Sequence, residues 1–193
     1  MSEFFLALVS AALINNLVLH QGLAIDPLPR SSTDQYRRQV HALGLATLLL
    51  LVLTVGIGQL IYRVALLPLA LEYLRLFVFL ALSVLLISPL LKLLTHLLPA
   101  LPFDDLLPLM LANMALLGLS LQVSEGGYGI AQTLGWSLGG GLGFWLALSL
   151  FADLRQRSDN DDIPMAFRGL PIELIGAGVM AMAFLGFNGL FNP

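Results

Sequence analysis

Polar side chains interrupt an apolar run at Leu13–Pro27, LINNLVLHQGLAIDP, which carries Asn15, Asn16, His20 and Gln21 before Asp26-Pro27. In lipid such groups are expensive unless they pair or line a cavity within the protein, so a functional reading is the default. Further along, Leu107–Gly118, LPLMLANMALLG, repeats the pattern with Asn113 inside a second apolar run. Matching interruptions in two halves of a chain point to a site at the interface of a repeat. The alternative is that the asparagines bond neighbouring helices together as packing contacts. His20 follows Asn16 by four residues, which on an unbroken helix places both on one face. Imidazole, with an ordinary pKa of about 6.5, can relay protons; the other reading is an interfacial histidine near a helix end. Glu173, behind Pro171 at the start of a late apolar run, either complements a helix dipole or joins an ion path with Asn15, Asn16, His20 and Asn113.

Other chemistry is excluded by spacing. The histidines His20, His41 and His96 show no metal-ligand interval. Asp159, Asp161 and Asp162 lack the glycine and terminal glutamate of a calcium loop. The glycines from Gly139 to Gly143 lie in an apolar helix with no strand or lysine, so no phosphate loop is expected. The chain has no cysteine, hence neither a disulfide nor a thiolate metal site of its own. No self-contained catalytic motif appears, and neither a catalytic nor a metal residue is assigned.

Those polar groups need helices to position them in lipid. Hydrophobic residues make up 58% and charged residues 11% of the 193 residues, with a mean hydropathy of +0.90; soluble domains run at about 45–50% and about 25%. The chain is an all-α integral membrane protein, one transmembrane domain over 1–193. A net charge of −3 leaves no basic footprint for nucleic acid. Met1-Ser2-Glu3 lacks the basic start of a signal peptide, so the first run is expected to be a retained helix.

A helix needs about 20 mostly apolar residues to span the bilayer. Six segments qualify: Phe4–Leu23, Val40–Tyr62, Leu71–Leu91 with a possible continuation past Pro89 toward Leu98, Leu106–Val123, Ile130–Leu150 and Leu170–Leu190. Arg30, Arg37, Arg38, Lys92, Arg155, Arg157 and Arg168 fall on one side of these spans, and Arg63 and Arg75 on the other. Basic residues collect in the cytoplasm, so both termini are expected outside. Three spans per half, about 1–98 and 99–193, would insert the halves with opposite orientation, as inverted repeats do. Gly135, Gly139 and Gly143, with Gly140 and Gly141 between them, predict close helix approach by the small-xxx-small mode. Gly176, Ala177, Gly178, Ala181, Ala183 and Gly186 mark the last span in the same way.

LINNLVL, LPLMLANMALLG, and PMAFRG followed by AGVMAMAFLGFNGL together resemble the RnfA/NqrE type of subunit of the Rnf and sodium-pumping NADH:quinone reductase complexes. The resemblance covers Leu13 to Leu190. It implies six transmembrane helices in two inverted halves, in a bacterial-type inner membrane with both termini outside. It also implies an inverted homologous partner of the RnfE/NqrD type, other complex subunits, and a [2Fe–2S] cluster shared with that partner. Its cluster cysteines correspond here to Asp26, before Pro27, and Met114, after Asn113. Such clusters are held by thiolates, with histidine the attested replacement, so cluster loss is expected and no cofactor is assigned; the alternative is a cluster held by the partner's ligands and these two residues at an altered potential. The function implied is a membrane subunit of an ion-translocating electron-transport complex, coupling electron transfer to Na⁺ or H⁺ movement. The alternative is a redox-silent paralogue serving as an ion or small-solute transporter element or an assembly scaffold, with Asp26 beside Asn15, Asn16 and His20 binding a cation or proton.

Overall fold

A run of glycines lets one helix become the hub of the bundle. The computed structural model describes residues 2–16, 19, 33–158, 160 and 163–189, and every regular element among them is helical. We number the helices α1 (Ser2–Val9, continued by a wider turn over Ser10–Ile14), α2 (Thr33–Ile61), α3 (Arg75–Leu97), α4 (Leu107–Leu111), α5 (Met114–Glu125), α6 (Ile130–Arg157) and α7 (Leu170–Leu185). Helix α6 buries Gly135, Gly139, Gly140, Gly141 and Gly143. A Cβ at Gly135 would lie 2.7 Å from the Phe4 carbonyl oxygen of α1, and one at Gly143 would lie 2.8 Å from that of Ala12. On other faces, Gly140 meets Leu119 of α5 and Gly141 meets Leu48 of α2. The glycine spacing predicted close approach; the structure identifies the partner on that stripe as α1 of the same chain.

The apolar stretches around α2, α3 and α6, Gln35–Leu66, Glu72–Leu97 and Ile130–Arg157, are each long enough to cross a membrane. Pro89 lies within α3 without ending it. The fourth expected span is a pair, Asp104–Leu111 and Met114–Glu125, bent by 52°. The first and last expected spans correspond to shorter apolar helices, Glu3–Ile14 and Leu170–Leu185. Six spans were expected; the described residues supply three at full length, or four if the bent pair counts as one. Helix α1 with its wider turn ends at Asn15, and the rest of the first expected span beyond Asn16 lies outside the described residues apart from Leu19.

The charged groups of α2, of the turn that follows it and of α6 sort to the two ends of the bundle. At one end Arg37 of α2 donates to Asp153 of α6 at 3.4 Å, and the Arg155 guanidinium lies 5.8 Å from the Tyr36 ring centre. At the other end Arg63 donates to the Tyr128 carbonyl, and Arg75 pairs with Glu125. The start of α2 and the end of α6 therefore share one face, as the charge pattern requires. Helix α7 starts from Gly169, whose φ of +78° suits a residue without Cβ.

Candidate functional site

Helix α1 ends by widening. The Asn15 amide N–H reaches back to the Ser10 carbonyl at 2.7 Å, and Asn15 Nδ2 donates to Ser10 Oγ at 3.1 Å. A turn of this width inside a helix is rare and frequently functional. Asn16 is 1% exposed, and its Nδ2 donates to the Ala12 carbonyl at 3.0 Å and to the Gly143 carbonyl of α6 at 2.9 Å. The missing side chain at Gly143 is what admits this amide to the α6 backbone.

The second interruption is built by the same kind of residue. Helix α4 stops at Leu111, and Asn113 takes an extended backbone with φ −75° and ψ 94°. Its Oδ1 accepts the Ala115 amide N–H at 3.1 Å, capping α5. Its Nδ2 donates to Thr47 Oγ1 of α2 at 3.2 Å, and that hydroxyl lies 3.5 Å from Met110 Sδ as donor. Asn113 is buried and Thr47 has no exposed surface. Every polar atom of this break that these bonds use would be costly to leave unpaired at such depth.

Both breaks lie at one level. A Cβ at Gly141 would stand 2.8 Å from Leu48 Cα, so Thr47, the residue before Leu48, and Gly143, the second after Gly141, are within about a helical turn in depth. The α1 break bonds to α6, and the α4–α5 break bonds to α2. Neighbouring faces of α6 receive α1, through Gly139, and α5, through Gly140. The start of α5 brings the positive end of a helix dipole into the apolar interior, and the end of α1 brings carbonyl oxygens there. Such half-helix ends can bind ions without any charged side chain.

The remaining sequence candidates distribute differently. His20 and Asp26 lie outside the described residues, so the shared face of Asn16 and His20 is not addressed there; Asn15 and Asn16 themselves stand where α1 ends rather than on an unbroken helix. Met114 is the first residue of α5 and is 57% exposed. Glu173 accepts from Arg155 Nε at 2.8 Å, the two side chains retaining only 9% and 13% exposure. Among the described residues no group of three or more His, Cys, Asp or Glu side chains converges as a metal site would require.

Sequence reasoning did not select Thr47, Gly143 as an acceptor, Arg155 as the Glu173 partner, or Tyr36. Thr47 was the most legible of these: a hydroxyl just ahead of the leucine run Leu48–Leu51 has to find a partner. Nothing in the spacing pairs it with Asn113.

Comparison with known proteins extends over the whole chain. Residues 4–191 match the family described as Rnf-Nqr subunit, membrane protein. A Pseudomonas aeruginosa protein, named as the A-type subunit of an ion-translocating oxidoreductase complex, is 39% identical, with all of both chains covered. Proteins of the same name from Azotobacter vinelandii and Syntrophotalea carbinolica are 38% and 36% identical, covering 100% and 98% of each chain respectively.

Proposed function

Because the chain belongs to the Rnf-Nqr family of membrane subunits, we propose that it serves as the A-type subunit of an ion-translocating oxidoreductase complex. In that role it supports transmembrane electron transfer coupled to Na⁺ or H⁺ movement. The observation that carries this reading is the pair of broken helices held at one level by Asn16 and Asn113. Ion-translocating membrane proteins place their sites at such discontinuities. The chemistry of this chain's own residues is to hold backbone carbonyls and amides out of helical bonding at that depth. Asn15, Asn16 and Asn113 are the described members of the ion or proton path, with His20 and Asp26 as candidates beside them. Glu173 belongs to it only at the margin, since Arg155 already neutralises it.

The bonding between elements supports two inverted halves, about 1–98 and 99–193. Asn16 of the first half bonds α6 of the second, and Asn113 of the second bonds α2 of the first. A two-fold relation between halves requires that exchange. An RnfE/NqrD-type homologue, inserted the other way, is the proposed partner, in a bacterial-type inner membrane with both termini outside. Reporter fusions after Arg157 and at the N-terminus test the orientation: the first is expected to read cytoplasm and the second the outer side. The reverse result would overturn the orientation and the pairing with it.

The family's [2Fe–2S] cluster does not fit the residues present. The chain has no cysteine, and Met114 offers a neutral thioether on an exposed side chain. We therefore assign no electron-transfer step to Asp26 or Met114. The missing thiolates favour a second reading, a redox-silent paralogue acting in transport or assembly. Affinity purification of the tagged chain from its native membranes separates the two. Recovery with flavin- and iron–sulfur-containing subunits is expected. Recovery without any redox subunit would overturn the first reading in favour of the second. The isolated pair with the inverted homologue is expected to hold no iron or acid-labile sulfide until Asp26→Cys and Met114→Cys are introduced together. Cluster-level iron in the unmodified pair would overturn cluster loss.

A further inference from the structure

The face where Arg63 and Tyr128 meet contains a groove that the ion path does not use. It lies between the last two turns of α2 and the first turn of α6, with a volume of about 260 Å³. Gly56, Leu60, Ile130 and Leu134 supply apolar walls, while Gln59, Thr133 and Arg63 supply the polar groups. Thr133 is 5% exposed and Gln59 is 9% exposed, and Thr133 Oγ1 has no hydrogen-bond partner among the described residues. An unpaired buried hydroxyl beside an open groove is a donor waiting for an acceptor.

Arg63 stands at the mouth. Its guanidinium donates to the Tyr128 carbonyl and, among the described residues, has no carboxylate partner. Arg75, the other arginine of this face, is paired with Glu125. A guanidinium has five N–H donors, so most of those on Arg63 remain available to an anion. From Arg63 to Gly56 the groove descends seven residues of helix, about 10 Å into the apolar layer. An anion at the mouth and a hydrocarbon chain below it is the chemistry of an anionic phospholipid.

We propose that this groove is a binding site for one anionic phospholipid: an acyl chain packs against Gly56, Leu60 and Leu134, the phosphate rests on Arg63, and an ester carbonyl accepts from Thr133. The head group selects charge, and the glycine makes room for the chain. Gly56 is the position that tests the second point, because a Cβ built there meets nothing within 4 Å. A leucine at Gly56 therefore fills the groove without disturbing the backbone.

The test uses the tagged full chain in its purified complex, exchanged into vesicles of equal phosphatidylcholine and phosphatidylglycerol, then extracted mildly and examined by native mass spectrometry. One phosphatidylglycerol per chain is expected, in about fivefold preference over phosphatidylcholine, the effect of one interfacial arginine. Arg63→Gln is expected to abolish the preference while a lipid is still retained. Gly56→Leu is expected to remove both lipids while the subunit composition stays intact. Equal retention of the two lipids by the unmodified complex would overturn the site. So would undiminished phosphatidylglycerol in Gly56→Leu, or crosslinking of Gly56→Cys to another subunit, which would put protein rather than lipid in the groove.

Discussion

Gly139→Leu is expected to strip α1 from the bundle while leaving the long helices inserted. A Cβ at this position falls inside the contact distance of the Leu8 carbonyl oxygen and 2.9 Å from both Leu8 Cα and the Ala11 Cβ. Two of those three atoms are backbone, so no side-chain rotation relieves the clash. Overpacking of this kind typically costs about 1–3 kcal/mol, and here the strain falls on a whole helix. The loss of α1 also removes the bond from Asn16 to Gly143, which lies one turn along the same stripe. Membrane fractionation should find the variant inserted, whereas size-exclusion chromatography should find the complex depleted and its thermal midpoint lowered. Unchanged yield and midpoint would show that α1 does not rest on this stripe.

Glu173→Ala is expected to destabilise the protein by about 1.5–3 kcal/mol, the range for losing a hydrogen bond to a charged group, because Arg155 keeps its contact with Tyr36. Arg155 and Glu173 retain 13% and 9% exposure, so solvent screens the pair little. The Tyr36 ring lies 5.8 Å from the Arg155 guanidinium. The pair ties α7 to α6, and beyond it α7 buries only Ala177 and Phe184. Thermal denaturation in nanodiscs should show the single variant well below the double variant Arg155→Met, Glu173→Leu, which removes both charges. If single and double variants melt together, the charge pair does not hold α7.

The two breaks give physical content to the family membership. Many transporters build their ion sites where a membrane-spanning helix is interrupted and its backbone groups are left outside helical bonding. Asn16 and Asn113 create two such places, and neither needs a charged side chain to do so. The described members of the proposed ion path are thus separate from Asp26 and Met114, the positions corresponding to the cluster cysteines of the resemblance. Under the proposal above, a member without cysteine keeps that path while giving up the cluster.

Much of this protein was determined by the sequence alone. Leu48–Leu51 and the apolar runs of α3 read as buried or lipid-facing helix, because lipid leaves backbone groups only a helix or a closed barrel and these runs lack a barrel strand's alternation. The glycine stripe of α6 and the amides at Asn16 and Asn113 were legible for the same local reason: residue type at membrane depth restricts what a position can do. What a side chain meets across the bundle was not legible. Asn113 and Thr47 are 66 residues apart, Asn16 and Gly143 are 127 apart, and Arg155 and Glu173 are 18 apart. No periodicity links those positions, since helical spacing reports which face a residue occupies and not which helix covers it. Whether Asn113 decorates a helix or breaks one also lay beyond the sequence. Asparagine fits an interior or a cap, and only the Thr47 hydroxyl on the neighbouring helix, together with the free Ala115 amide, makes the cap the lower-energy choice.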